Sequence, residues 1–289
     1  MGAPIVLVTA IEARDVDEDM PLLLDAFGGD AVVEAWDDPD VDWGAHPLAI
    51  IRSTWDYTTR RDEFLAWAER VAGECRLVHD PAVLRWNTDK RYLADLATAG
   101  IAIVPSTFVD AEPYDLLSGE LVVKPTVSAG SRDTARYAAH QGDAARAHID
   151  ELLASGRTAL VQPYLAEVDR VGETAVICFG GEVSHAITKG PLLALDAPPS
   201  RALFAPELIT PCELEADEVS AAKAVLDALS RITPVSEHLA PPLYARVDLL
   251  RTDERGLAVL EVELSEPSLF LASSPGAADR FAAAIRAGF

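Results

Sequence analysis

The sequence predicts an α/β protein made of α+β lobes and opened by a small parallel α/β domain. Three observations carry this. Up to about residue 80, short apolar strand-like runs alternate with helical spacings, the pattern of a parallel sheet with crossover helices. Two β-rich runs, 174–179 and 182–188, flank Gly180-Gly181 and read as a hairpin. Residues 244–271, YARVDLLRTDERGLAVLEVELSEPSLFL, form two further strand-like runs joined by a charged turn that ends in Gly256.

Residues 4–10 are a continuous apolar, β-branched run, as in a buried parallel strand. The acidic stretch 12–19 reads as an exposed loop, although Asp17, Glu18 and Asp19 are within reach of the crevice at the end of the sheet. Helical spacing over 20–27 stops at Gly28-Gly29, and 61–72 is a helix closed by Gly73. Residues 31–35, 48–52 and 76–79 are further strands. No Gly-rich fingerprint follows the first strand, which argues against a dinucleotide-binding domain. Arg52, Ser53, Thr54, Trp55 and Asp56 follow the third strand, at the carboxyl end of the sheet where open α/β sheets bind ligands. They offer a substrate a cation, hydroxyls, an aromatic platform and an acid. The competing reading is a capped helix start.

In the middle third, 91–99 is a helix closed by Gly100, 101–107 is extended, and LVVK at 121–124 is a strand ending at Pro125. Lys124 in that apolar strand must find an anion or lose its proton. The small polar loop 127–134 contains Ser128, Gly130 and Ser131. Such a loop can fold backbone N–H groups over phosphates, although it lacks the Walker A order and alone reads as a hairpin turn. A helix over 142–154 and a strand over 159–162 complete this part. Beyond it, the hairpin presents His185 and Lys189 on its second strand. The loop 191–206, with Arg201, is suited to cover a site. Helices are expected over 214–232 and 277–287.

In a strand, alternate side chains share a face, so Glu261 and Glu263 point the same way, and Asp248 lies on the partner strand. Crowded carboxylates on a half-buried sheet repel one another unless something positive sits between them. A hard divalent cation such as Mg²⁺ answers this; a solvated acidic face is the plainer alternative. Arg246 shares a face with Asp248 and suits either a developing phosphoryl charge or a neutralising ion pair.

The net charge of -23, from 47 acidic and 24 basic residues, argues against nucleic acid and anionic membranes as partners. A phosphate ligand remains compatible, because a few local cations decide that. Cys75, Cys178 and Cys212 lack metal or redox spacing and are expected as buried fillers in a reducing compartment. The N-terminus does not read as a signal peptide, and no apolar run approaches the ~20 residues of a membrane span. A cytoplasmic protein is expected, with a homodimer as its usual assembly.

The order of parts resembles the ATP-grasp superfamily over roughly residues 85–270. The matching pieces are Lys90 in NTDKRYLADLATAGIAIVPST, Lys124 in LVVKP, the loop SAGSRDT, the segment VQPYLAEV, Gly172-Glu173, RVDLL and LEVELSEPSL. The resemblance implies an ATP-grasp fold of three lobes, 1–84, 85–163 and 164–289, with ATP between the last two. Lys90 and Lys124 would touch the ATP phosphates under the loop of Ser128, Gly130 and Ser131. Gln162, Pro163, Tyr164 and Leu165 would be the hinge at adenine, and Glu167 or Asp169 would take the ribose. Asp248, Glu261 and Glu263 would hold Mg²⁺, with Lys189 and Arg246 near the transferred phosphate. The family usually has E-x-N where this chain has Glu261-Val262-Glu263, which adds negative charge and leaves the geometry of a second metal open.

RSTWDYTTRRDEF, VSHAITKG and EPSL are similar to the D-cycloserine synthetase family of cyclo-ligases, which close O-ureido-D-serine into a ring. That resemblance implies a substrate carboxylate phosphorylated by ATP and then attacked by nitrogen of the same molecule. Glu266 would suit a substrate amine and Ser268 a carboxylate, with His185 nearby. The partner is thus a small amino-acid-like molecule. Two alternatives stay open: an intermolecular RimK-like or glutathione synthetase-like ligase, and an ATP-binding regulatory protein without turnover. The presence of both lysines and all three carboxylates weighs against the last.

Overall fold

The first four apolar runs assemble into one parallel sheet, in the order β2-β1-β3-β4: β1 (Ile5–Thr9), β2 (Ala31–Ala35), β3 (Leu48–Ser53) and β4 (Arg76–Val78). The computed structural model describes residues 4–195, 197–199, 208–238, 241–252 and 256–288. Strand alternation distributes the sheet's side chains between two cores. Leu7 and Ile50 meet α1 (Met20–Phe27) through Leu23 and Phe27. Val6, Val8 and Ile51 meet α2 (Arg61–Ala72) through Phe64, Trp67 and Ala68. Both faces are covered, which is why the strands lack polar alternation.

Two short helices follow, α3 (Pro81–Asn87) and α4 (Tyr92–Thr98). The first is absent from the sequence-based expectation. Its signal was present, since Asp80 accepts the Ala82 N–H at 2.8 Å and Pro81 occupies the first turn. The middle sheet is antiparallel, β5-β8-β6-β7, from β5 (Thr107–Val109), β6 (Leu121–Pro125), β7 (Ala135–Tyr137) and β8 (Ala159–Pro163). Ile149 and Leu152 of α5 (Gly142–Ala154) close its core. Of the expected extended segment 101–107, only Thr107 joins that sheet. Val104 N–H instead donates to Val259 O, and Val259 N–H to Ala102 O, stitching the segment to the last sheet.

After the short α6 (Val168–Val171), the last sheet is antiparallel with order β11-β10-β9-β12-β13. Its strands are β9 (Glu173–Phe179), β10 (Glu182–Lys189), β11 (Ile209–Cys212), β12 (Tyr244–Arg251) and β13 (Leu257–Glu263). β11 was not expected from sequence. Pro211 argues against a central strand, and β11 lies at an edge, where proline is tolerated. Helix α7 (Ala216–Leu229) is shorter than the expected 214–232, because Glu215 and Glu218 form a capping box that sets its start. It is followed by α8 (Val235–His238) and α9 (Ala277–Ala287).

Helices α7 and α4 pack on one face of the last sheet, through Val225, Leu229, Leu93 and Leu96 against Val176, Val247 and Val262. The helix after Lys90 therefore shares a core with the last sheet, across the expected boundary at residue 163. On the other face, Phe281 and Ile285 of α9 join Phe27 of α1, Ile177 and Tyr244 in one core. Cys178 is buried, whereas Cys75 and Cys212 are half-buried; all three are free thiols. No helix among the described residues is long and apolar enough to cross a membrane.

Candidate active site

Along β12, one face turns from apolar to charged: Tyr244 joins the α9 core, and Arg246 and Asp248 follow at the two-residue strand period. Across the ladder, Arg246 stands opposite Glu263 and Asp248 opposite Glu261. Glu173 and Lys189 form the matching pair on β9 and β10. The three carboxylates expected at a metal thus occupy adjoining strand positions.

They are interleaved with cations. Lys189 Nζ lies 2.8 Å from Glu173 Oε1 and 2.9 Å from Asp248 Oδ2. Arg246 grips Asp248 with two N–H donors, at 2.8 and 2.9 Å, and also pairs with Glu263. Lys90 Nζ bridges Glu261 Oε1 and the Ser128 carbonyl, both at 2.7 Å. Burial raises the Asp248 carboxyl, but Arg246 and Lys189 outweigh it and hold the group well below the usual carboxylate range. Glu263 is pushed up to about 8 by burial, which Arg246 only partly offsets and Glu261 and Asp248 reinforce. Burial likewise pushes Glu173 up to about 6 and Glu266 up to about 7, and pulls Lys124 down to about 8.

Eight carboxylates line the cleft, Glu173, Asp248, Glu261, Glu263 and Glu266 at its charged floor and Asp17, Glu18 and Asp19 from the first lobe, with four cations (Lys90, Lys124, Lys189, Arg246). Among the described residues, no three His, Cys, Asp or Glu side chains close around one metal position. The donor chemistry nevertheless fits Mg²⁺. The oxygens are hard ligands on strands, and Glu263 has less positive charge beside it than its burial demands. Asp248, Glu261 and Glu263 are the residues that would hold it.

The cleft has a volume of about 740 Å³, within the roughly 300–1,000 Å³ of small-molecule sites. One end is an apolar slot of Val104, Leu165, Val168, Leu250 and Leu260 beside the 162–165 segment. Over the middle runs the loop of Ser128, Gly130 and Ser131, with Gly130 and Ser131 at φ 57° and 59°. At the far end, Trp55 of the first lobe meets Glu266, Ser268 and Phe270. Trp55 Nε1 donates to the Glu266 carbonyl at 3.0 Å.

The cleft brings together Lys90, Lys124, Ser128, Gly130, Ser131, Gln162, Pro163, Tyr164, Leu165, Lys189, Arg246, Asp248, Glu261, Glu263, Trp55, Glu266 and Ser268. It leaves out seven residues expected there. Arg52 is buried beneath the site, donating to Pro267 O at 2.7 Å with its guanidinium 5.3 Å from the Tyr244 ring. Ser53 bonds Thr9, and Thr54 is buried behind the cleft. Asp56 accepts the Trp36 indole N–H at 2.8 Å and pairs with Arg60. The segment after β3 therefore shapes the first lobe, and only Trp55 turns to the cleft. His185 is bonded to the Leu269 carbonyl at 2.8 Å. Glu167 pairs with Arg170, and Asp169 with Arg136 and the Tyr164 hydroxyl, outside the cleft lining. Arg201 lies outside the described residues.

Two groups line the cleft that had not been counted among its expected residues. Glu173 lines the cleft as the partner of Lys189, a position that its place opposite Lys189 in the hairpin could have revealed. The acidic stretch, expected as an exposed loop, instead sends Asp17 and Asp19 inward, at 8% and 5% exposure. Asp19 accepts the Leu269 and Leu271 N–H groups, each at 2.7 Å.

Comparison with known proteins identifies the family. A model of the D-cycloserine synthetase DcsG N-terminal domain matches residues 5–79. Cycloserine biosynthesis protein DcsG of Streptomyces lavendulae is 39% identical over 96% of each chain. The chain belongs to the D-cycloserine synthetase family. The crystal structure of D-cycloserine synthetase DcsG matches it with a TM-score of 0.91 and 37% identity over 99% of both chains. D-alanine–D-alanine ligase from Bacillus anthracis, solved with ATP, matches at TM-score 0.67 and 15% identity, over 99% of this chain and 96% of that one. A RimK domain ATP-grasp protein from Sphaerobacter thermophilus matches at 0.65 and 17%, over 97% and 99%. These two show the fold alone, which is ATP-grasp.

As a member of the D-cycloserine synthetase family, the chain is an ATP-grasp ligase forming a C–N bond. In this D-cycloserine synthetase-family enzyme, the charge added by Glu263 is partly offset by Arg246 directly across the ladder.

Proposed function

We propose that this ligase uses ATP and Mg²⁺ to close O-ureido-D-serine toward D-cycloserine, through an acyl phosphate attacked from within the same molecule. The observation that supports it most is the meeting, in one cleft, of a phosphate-side cation set with Trp55, Glu266 and Ser268 from the far end. The 39% identity to a cycloserine biosynthesis protein over nearly the whole chain supports the choice of substrate.

Phosphoryl transfer needs positioning and charge neutralisation rather than a protein nucleophile. Adenine occupies the apolar slot. Lys90 and Lys124 neutralise the phosphate chain beneath the 128–131 loop. Lys189 and Arg246, oriented by Asp248, face the phosphoryl group in flight. Mg²⁺, when bound, screens the phosphate oxygens from the carboxylates that hold it. A substrate carboxylate oxygen attacks the γ-phosphorus and ADP leaves. The oxygen-bound ureido nitrogen then attacks the acyl carbon, phosphate departs and that nitrogen loses its proton; water removes the carbamoyl group still attached to it, as carbon dioxide and ammonia, to leave D-cycloserine. Trp55 and the 265–270 loop hold the substrate so that its own nitrogen is the nearest nucleophile.

An ADP-release assay with ATP and Mg²⁺ tests this, over a panel of amino acids that includes O-ureido-D-serine, each with and without a second amine. Release with O-ureido-D-serine alone is the expected result. Release only when a second amine is added would replace the reading by an intermolecular ligase. ATP binding without any release would point to a regulatory protein.

A further inference from the structure

Strand β13 lies at the edge of its sheet, so the backbone groups on its outer side must be satisfied from beyond the ladder. At Val259 the 102–104 segment does this with its own backbone. At Val262 two buried side chains do it instead. Asn87 Nδ2 donates to the Val262 carbonyl at 2.7 Å, and the Tyr92 hydroxyl accepts the Val262 N–H at 2.8 Å. Asn87 Oδ1 also accepts the Leu264 and Ser265 N–H groups, at 2.7 and 3.1 Å, where the strand ends and the loop of Glu266 and Ser268 begins. A planar amide carries a donor and an acceptor on one group, which is what these three positions require together. Neither side chain lines the cleft.

Val262 is the residue between Glu261 and Glu263, so a shift of its peptide groups moves both carboxylates. Asn87 and Tyr92 in turn flank Lys90, whose Nζ meets Glu261 Oε1 at 2.7 Å and whose own N–H is tied to Thr126 O at 2.8 Å. One short segment thus carries both the lysine expected at the phosphates and the two side chains that set the carboxylate strand against it. We propose that Asn87 and Tyr92 are positioning residues for the ligase reaction, fixing Glu261 and Glu263 relative to Lys90 at the place where a divalent ion and the ATP phosphates would be held. A misplacement of about 1 Å at a reacting centre can cost about 10²-fold in rate, and partners that orient metal ligands are worth about 10–100-fold in metal affinity or activity. This rests on the metal assignment of Glu261 and Glu263 and on the ligase reading above, but not on which nitrogen attacks.

The test compares wild type with two variants. Asn87→Asp keeps the acceptor for Leu264 and Ser265 and turns an oxygen toward the Val262 carbonyl. Tyr92→Phe removes only the hydroxyl from a ring packed beside Trp86. Binding of Mn²⁺ is measured by electron paramagnetic resonance with a non-hydrolysable ATP analogue present. Metal-free affinity for the analogue, ADP-release kinetics with O-ureido-D-serine and Tm are measured in parallel. Each variant should bind Mn²⁺ about tenfold or more weakly and lose about tenfold or more in kcat, with substrate KM and metal-free analogue affinity within about threefold of wild type. A fall in Tm with Mn²⁺ affinity and kcat both within about twofold of wild type would make the pair merely structural and overturn the proposal. So would metal-free analogue affinity falling as far as Mn²⁺ affinity, or a wild type that binds no Mn²⁺. Should Asn87→Asp not fold, Tyr92→Phe decides alone. Weakened Mn²⁺ binding in the variants of a protein that releases no ADP with O-ureido-D-serine would support the positioning role and sink the cyclo-ligase reading instead.

Discussion

Replacing Asp19 by Asn probes the joint between the first lobe and the loop that follows the carboxylate strand. The Asp19 carboxylate accepts Leu269 N–H and Leu271 N–H, both at 2.7 Å, in a site that is 5% exposed. An asparagine keeps one oxygen and turns an NH₂ toward the other amide, so one charge-assisted bond is lost and a buried donor is left unmatched. The first loss is roughly 1.5–3 kcal/mol and the second roughly 1–3 kcal/mol. Arg52, buried nearby, also loses its counter-charge. A destabilisation of about 3–5 kcal/mol is expected. With about 2.1 cal/mol/K of unfolding entropy per residue, that is a fall in Tm of roughly 6 °C for a chain of this length. Calorimetry and urea unfolding measure it, and hydrogen exchange at the Leu269 and Leu271 amides localises it. A Tm within about 1 °C of wild type, with both amides equally protected, would refute the clamp.

Glu261→Gln should lower kcat by about 10²-fold or more while circular dichroism stays native, because it removes a carboxylate that meets both Lys90 and the expected metal; normal turnover would sink the metal assignment. Trp55→Ala should raise the substrate KM about tenfold and spare ATP affinity, since Trp55 stands at the far end from the apolar slot and supports Glu266. Weakened ATP binding would show that the first lobe is not the substrate lobe. His79 is buried against the Tyr244 ring, with its Nδ1 bonded to the Leu264 carbonyl, and burial lowers it to about 4. The unfolded chain therefore binds its proton first as pH falls. The contribution is fully present above about pH 6.5 and declines toward pH 4, by roughly 3 kcal/mol. His79→Leu should flatten that part of the stability–pH curve in urea unfolding, and an unchanged slope would contradict the assignment.

Local patterns carried much of this protein into view. Helices α2, α5 and α9 begin and end where apolar spacing and flanking glycine or polar residues place them. The order Lys90, Lys124, the small loop and the EVE strand was enough to expect an ATP-grasp ligase. The helix starting at Pro81 is legible in the Asp80-Pro81 pair, a capping acid followed by a first-turn proline. Edge strand β11 was not, because a strand bearing Pro211 forms only when β10 offers it a ladder.

What the sequence determined by itself was the set of chemical groups and the faces they share. Strand alternation is local, so Glu261 with Glu263, and Arg246 with Asp248, follow from spacing alone. What only the tertiary structure decided was which charges remain available. Arg52 and Asp56 read as site residues but are absorbed by Pro267, Tyr244, Trp36 and Arg60. Asp17 and Asp19 read as solvated acids but are drawn inward by a loop 250 residues away from Asp19 in the chain. A charge's role depends on its burial and its partners, and those are set by contacts between segments whose separation no local pattern encodes.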